Sequence, residues 1–266
     1  MDLLLAGKRA IVTGASRGIG YAVAEALVAE GTDVVLVARG SAALDEAAAK
    51  LSAAHGTRVL AIPADTRSQE SVDDLIARAV EALGGIDILV NGAAQPAGPT
   101  APKHLAGLRD DDLRAEVETK VLGYLRCARA VAPHMIAAGW GRIVNISGLA
   151  ARQTGSAFGS IRNVAVSALT KNLADELGPH GINVTVVHPG LTVTERMPGM
   201  VANLAAAAGV SSDAAEARLA SSVSIGRLVT AAEVADVVAF LCSPRSVGIN
   251  GDAIAVGGGA KGAIFY

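Results

Sequence analysis

Glycines at positions 14, 18 and 20 form the first grouping in the chain with a chemistry of its own. They lie in Thr13-Gly14-Ala15-Ser16-Arg17-Gly18-Ile19-Gly20, directly after the β-branched run of residues 9–13 and directly before a helical pattern. Each glycine has a task in that setting. Gly14 permits a tight turn, Gly18 lets the backbone approach a pyrophosphate, and Gly20 lets the helix sit close to the strand. The unpaired N–H groups of the helix N-terminus then meet phosphates with the positive end of the helix dipole. Spacing and context together predict a dinucleotide cradle.

Such a cradle needs strands and helices in alternation, and the chain supplies them. Val34, Val35, Leu36 and Val37 run without a polar break inside 33–38, which fits a parallel strand covered on both faces. Further strands are expected at 58–62, 86–90, 143–147, 182–188 and 253–256. Helical patterns fill 44–54, 68–83, about 110–138, 155–177 and 231–241. Within 68–83, Val72, Leu75, Ile76, Ala79, Val80 and Leu83 keep the i, i+3, i+4 rule. The alternation predicts an α/β fold: a Rossmann-type doubly wound parallel sheet, three layers (α/β/α), one domain over 1–266. A Pro/Gly-rich stretch at 95–107 and a Thr-, Pro- and Ala-rich stretch at 191–225 interrupt the rhythm. The second is read as a lid over the site, since long connections in compact domains usually serve one. Its apolar Met197, Met200 and 201–208 run suits a partly hydrophobic small-molecule substrate.

Composition narrows the field. With 51% hydrophobic and 18% charged residues the 266-residue chain can fill a large core, which excludes a disordered protein. A net charge of −2 lacks the basic excess that nucleic-acid binding requires, and 3% aromatic residues cannot build stacking platforms. The apolar run Leu3-Leu4-Leu5-Ala6 is too short for a signal peptide or a span, so a cytoplasmic protein with no membrane partner is expected. Cys127 and Cys242 stand far apart, outside any paired motif, and the five histidines are scattered, so no metal site is expected.

The Thr-Gly-x-x-x-Gly-x-Gly spacing resembles the fingerprint of the short-chain dehydrogenase/reductase family. Further residues carry the resemblance: Asp65 after the third strand, Asn91-Gly92-Ala93-Ala94 after the fourth, and Ile143-Val144-Asn145-Ile146-Ser147 as the fifth. Pro189-Gly190 with Thr194 resembles the element near the nicotinamide, and Val256-Gly257-Gly258-Gly259 the closing strand. The resemblance implies a nicotinamide dinucleotide held by Gly14, Ser16, Arg17, Gly18, Ile19, Gly20, Arg39, Asp65, Thr66, Asn91, Ala93, Arg162, Pro189, Gly190 and Thr194. It also implies a homo-oligomer, tetramer or dimer, joined through helices 110–138 and 155–177. Val117, Val121, Leu125, Val164 and Leu169 on those helices serve either that interface or the core of the single chain. Ala38 ends the second strand where an acidic side chain would hold the ribose of NAD(H). Arg39 follows it and Arg17 lies in the loop, a guanidinium pair suited to a 2′-phosphate. NADP(H) is therefore expected rather than NAD(H).

The chain departs from the family at the catalytic positions. The Tyr-x-x-x-Lys pair falls on Phe158 and Arg162, or one residue on at Gly159 and Asn163, and neither register holds a tyrosine or a lysine. Gly148 stands at the catalytic serine, beside Ser147; Lys120 stands at the asparagine; and Ala94 stands at a glycine. Lys120, Ser147 and Arg162 remain as catalytic candidates. Arg162 would lower the pKa of Lys120 by like-charge repulsion, making it a proton donor. His188 is either an acid or base beside the nicotinamide or the end of a strand. The expectation is an NADP(H)-dependent oxidoreductase with a non-standard site. The alternatives are a lyase, isomerase or dehydratase on the same fold, or a catalytically silent NADP(H)-binding protein.

Overall fold

The computed structural model describes residues 1–94 and 105–261. Seven parallel strands form its main sheet in the order β3-β2-β1-β4-β5-β6-β9. They are β1 (Arg9–Thr13), β2 (Asp33–Ala38), β3 (Val59–Pro63), β4 (Ile88–Asn91), β5 (Gly141–Ile146), β6 (Ile182–Pro189) and β9 (Ala253–Val256). The doubly wound Rossmann-type fold read from the alternation is the one observed. The order runs outward in both directions from β1 and β4, whose pairing sets Val12 beside Val90. That reversal opens a crevice at the carboxyl ends of the strands, where open α/β sheets bind ligands.

Both faces of the sheet are buried because successive strand residues feed opposite cores. Ala10, Val12, Val34 and Leu36 pack with residues of α1 (Gly18–Ala29), α2 (Ser41–His55) and α9 (Ala231–Cys242). Ile11, Val35, Val37 and Leu89 pack with α3 (Gln69–Leu83), α5 (Gly123–Ala138) and α6 (Ala157–Leu177). Cys127 and Cys242 are free, buried thiols in these two cores, and burial pushes the pKa of each up to about 12.

Two expectations need correction. The helix read over 110–138 is three segments: α4 (Asp110–Glu116), a π-helical turn at Val117–Leu122, and α5. A π turn is wider than an α turn and shifts the buried face by one residue. Here it sends the adjacent Thr119 and Lys120 both inward. The hydrophobic repeat of the sequence carries no trace of that insertion. The second correction is a pair of two-residue strands, β7 (Thr192–Val193) and β8 (Val229–Thr230), too short for any periodicity to show. Between them α7 (Met197–Ala208) and α8 (Ser212–Ser221) share a small core of Met197, Val201, Ala205, Ala215 and Leu228. Of the Pro/Gly-rich stretch, residues 95–104 lie outside the described residues.

Candidate cofactor-binding and active site

A cleft of about 1010 Å³ occupies the switch point. The glycine loop forms its floor, and steric arithmetic explains the glycines. Gly14 has φ +72°, and a Cβ there would lie 2.7 Å from the Gly92 carbonyl oxygen. At Gly20 it would lie 2.3 Å from the Gly14 carbonyl oxygen. Only hydrogen fits at either place. Thr13 Oγ1 ties the loop to the end of β4, accepting the N–H groups of Gly92 (3.0 Å) and Ala93 (3.2 Å). Arg17 precedes α1 without a side-chain cap, and the first turn holds no acidic residue. The helix N-terminus is thereby left open to an anion. Loop and helix end fit a dinucleotide pyrophosphate.

Gly14, Ser16, Arg17, Gly18, Ile19 and Gly20 all border this cleft, as do Arg39, Asp65, Thr66, Ala93, Arg162, Pro189, Gly190 and Thr194. Asn91 does not. Its side chain is fully buried, with Nδ2 donating to Asn145 Oδ1 at 3.0 Å, so it links β4 to β5 inside the sheet. Asn145 in turn donates to Thr170 Oγ1 of α6 at 2.9 Å. The expected contact of Asn91 with the cofactor is a structural cross-link instead.

One residue went unread. Arg67 also borders the cleft, and its guanidinium grips Asp65, with Nη2 2.6 Å from Oδ2. This hydrogen bonding, reinforced by charge from Arg67 and Arg39, holds the Asp65 carboxyl below the usual carboxylate range. Arg39 and Arg67 both act on Asp65 at one end of the cleft, and Arg17 borders the same cleft. Arg17 keeps a loose partner, Glu195, at 4.0 Å. Two residues beyond Asp65, Arg67 carries no motif of its own, and only the fold turns it to the cleft.

At the other end stands Lys120. It is 4% exposed, yet it borders the cleft. Its Nζ donates to the Ser147 carbonyl oxygen (2.9 Å) and to Asn163 Oδ1 (3.1 Å). Burial lowers its pKa to about 7, with Arg162 lowering it further and Glu116 opposing. Arg162 does lie close, as the charge argument required, and is ion-paired with Glu116. Among the described residues its buried Nε has no partner.

Ser147 serves the scaffold. Its Oγ donates to the Asn163 carbonyl oxygen at 3.2 Å, while its own carbonyl receives Lys120. On α6 the buried stripe is Gly159, Asn163, Val166 and Thr170, so Gly159 and Asn163 are the pair that faces inward. Phe158 stands off the cleft. Ser156 caps α6 by accepting the Gly159 N–H at 3.1 Å. A Cβ at 159 would sit 2.8 Å from that Ser156 Oγ. His188 is 1% exposed and does not line the cleft. Its Nδ1 accepts from the Gly148 N–H at 3.4 Å, and Nε2 lies 3.3 Å from Ser167 Oγ. Burial, then the charges of Arg152 and Lys120, lower its pKa to about 4, so it stays neutral and structural.

Comparison with known proteins agrees with this layout. A sequence profile described as short chain dehydrogenase matches residues 8–205. The chain belongs to the short-chain dehydrogenase family. It is 38% identical over 182 residues to the short-chain reductase protein NovJ of Streptomyces niveus, covering 68% of each chain. The crystal structure of L-sorbose reductase from Gluconobacter frateurii, complexed with NADPH and L-sorbose, superposes with a TM-score of 0.92. That similarity spans 99% of this chain and 100% of the other at 31% identity. NAD+-bound xylitol dehydrogenase gives a TM-score of 0.87 at 28% identity over 96% and 100% of the two chains. Relatives of this fold hold either dinucleotide, so the choice between them turns on local side chains.

Proposed function

We propose that the protein is an NADP(H)-dependent oxidoreductase in which Lys120, rather than a tyrosine, is the titrating group. The observation that carries this reading is a buried lysine with a pKa near neutrality, placed in the same cleft as an intact glycine loop. The loop and the α1 N-terminus would hold the pyrophosphate. Arg17 and Arg39, with Arg67 behind Asp65, would clamp a 2′-phosphate by charge-assisted hydrogen bonds. The NADPH held by the L-sorbose reductase relative supports the same choice. When bound, NADPH supplies a hydride to the substrate.

The protein's own residues handle the proton. A pKa of about 7 leaves Lys120 near half-protonated at neutral pH, where a general acid is most effective. Arg162, which cannot titrate, keeps the lysine acidic. Residues 191–225, with Leu191, Thr194, Glu195 and Arg196 on the cleft wall, would act as the lid that excludes water. The homo-oligomer interface would lie on helices 110–138 and 155–177, and Ile161 and Val164 of α6 are about half exposed.

Titration with NADPH and NADH, followed by a panel of ketones, aldehydes, imines and enones, tests the reading. The expected result is preference for NADPH, turnover of at least one panel member, and a roughly 10²-fold or larger loss of turnover in Lys120→Met with cofactor affinity unchanged. Equal turnover in the variant removes Lys120 from the chemistry. Tight NADPH binding with no turnover across the panel would point to a silent cofactor-binding protein.

A further inference from the structure

A notch opens beside Lys120 because position 148 is a glycine. A Cβ built there would stand 3.1 Å from Asn163 Nδ2 and 3.9 Å from the Pro189 carbonyl oxygen, and both Gly148 and Asn163 border the cleft. Chemistry fixes which way the Asn163 amide points. In its ammonium form Lys120 only donates, which assigns the oxygen to the amide atom 3.1 Å from Nζ. The NH₂ group is then the one turned to the notch. Among the described residues, Asn163 is hydrogen-bonded through Oδ1 and through its main chain, and Nδ2 meets no acceptor. Asn163 is nevertheless 2% exposed. Asn163 borders the cleft, so a ligand there can supply the missing acceptor.

We infer that this notch is a carbonyl-oxygen subsite in which Asn163 Nδ2 donates to the substrate and Lys120, lining the same cleft, polarises the amide through Oδ1. Donation from Nζ to Oδ1 draws electron density toward the amide oxygen, and coupled hydrogen bonds of this kind strengthen one another in a low-dielectric site. Ser147 anchors both partners, receiving Lys120 on its carbonyl and gripping the main chain of Asn163 with its hydroxyl. Asn163 is thereby held at a fixed angle before any ligand arrives, as an oxyanion-binding donor requires.

The subsite names a substrate class. An N–H donor needs a lone pair, which a ketone, aldehyde or enone oxygen offers and an iminium nitrogen does not. An iminium ion would also meet Lys120 and Arg162 as like charges. The notch therefore selects carbonyl compounds over cationic imines. The inference rests on the oxidoreductase reading for the reaction that follows, whereas oxygen binding stands independently of it.

The test uses 4-dimethylaminocinnamaldehyde, a conjugated aldehyde whose absorption moves to longer wavelength when its carbonyl oxygen accepts a hydrogen bond. Mixed with the full-length protein and NADP+, it is expected to shift red. Asn163→Asp, nearly the same shape but with no hydrogen to donate, should abolish the shift. Gly148→Ala narrows the notch from the opposite wall and should weaken probe binding, so the outcome does not hang on one variant. In steady-state assays with a turned-over carbonyl compound, Asn163→Asp should lower kcat/KM about 10²-fold with the NADPH affinity unchanged. An unmoved probe spectrum in the wild type, or a full shift in Asn163→Asp, overturns the subsite. A red shift without turnover by NADPH would defeat the oxidoreductase reading and leave the subsite standing. Turnover insensitive to Asn163 would do the reverse.

Discussion

Replacing Lys120 by methionine should change the pH dependence of stability in a direction the structure dictates. Folding carries this amine from water, where its pKa is 10.5, to a site where the pKa is about 7. Between those two values the unfolded chain binds more protons than the folded one, so stability rises with pH across that window. Below about pH 7 the full penalty applies, about 5 kcal/mol at ~1.4 kcal/mol per pH unit; above 10.5 it vanishes. Methionine fills a similar volume and does not titrate. Between pH 6 and pH 9 the wild type should therefore gain roughly 2–3 kcal/mol on the variant. For a chain of this size that is about 5–10 °C in Tm. Absolute stabilities will differ as well, because methionine gives up the bonds to Ser147 and Asn163, each worth about 1 kcal/mol net. The slope is the diagnostic quantity, since those losses do not depend on pH. Denaturant or thermal unfolding of both proteins at several pH values, at one protein concentration, measures it. Parallel curves would refute the account of Lys120 as a buried amine.

If Lys120 gives the proton, kcat/KM for reduction should fall above about pH 7 as the ammonium is lost, and a profile flat to pH 9 would exclude it. Arg17→Ser and Arg39→Ser should each weaken NADPH binding about 10-fold or more while leaving NADH within twofold, read by nicotinamide fluorescence. Gly20→Ala should abolish binding of either dinucleotide, since its methyl would sit 2.3 Å from the Gly14 carbonyl oxygen; retained affinity would contradict the loop geometry. Gly159→Tyr should fail to create an ordinary active site and should lower stability by about 1 kcal/mol or more through the displaced Ser156 cap, seen as a lower Tm.

The fold was legible because its signals are local and repeated. Uninterrupted Val34–Val37 fits a strand buried on both faces, and the glycines at 14, 18 and 20 fit a cradle between strand and helix. Their steric reasons lie within a few residues or across one strand pair. Of the residues assigned to the cofactor from sequence, nearly all border the cleft. Asn91 was the exception, because whether a side chain at a strand end points into the crevice or into the sheet depends on its neighbour, here Asn145.

The catalytic end was legible only as a set of absences. Sequence alone located Lys120 and Asn163 and recorded that no tyrosine or lysine stands on the expected stretch of α6. It could not place Lys120 Nζ against Asn163 Oδ1, because 43 residues separate them and the π turn that sends Lys120 inward leaves no mark in the hydrophobic pattern. Nor could it show Ser147 spent on the scaffold, or Gly159 bound to the cap of its own helix. Short-range sterics and periodicity are written in the order of residues. The pKa of a lysine and the free face of an amide are set by what surrounds them, and only the folded chain brings those surroundings together.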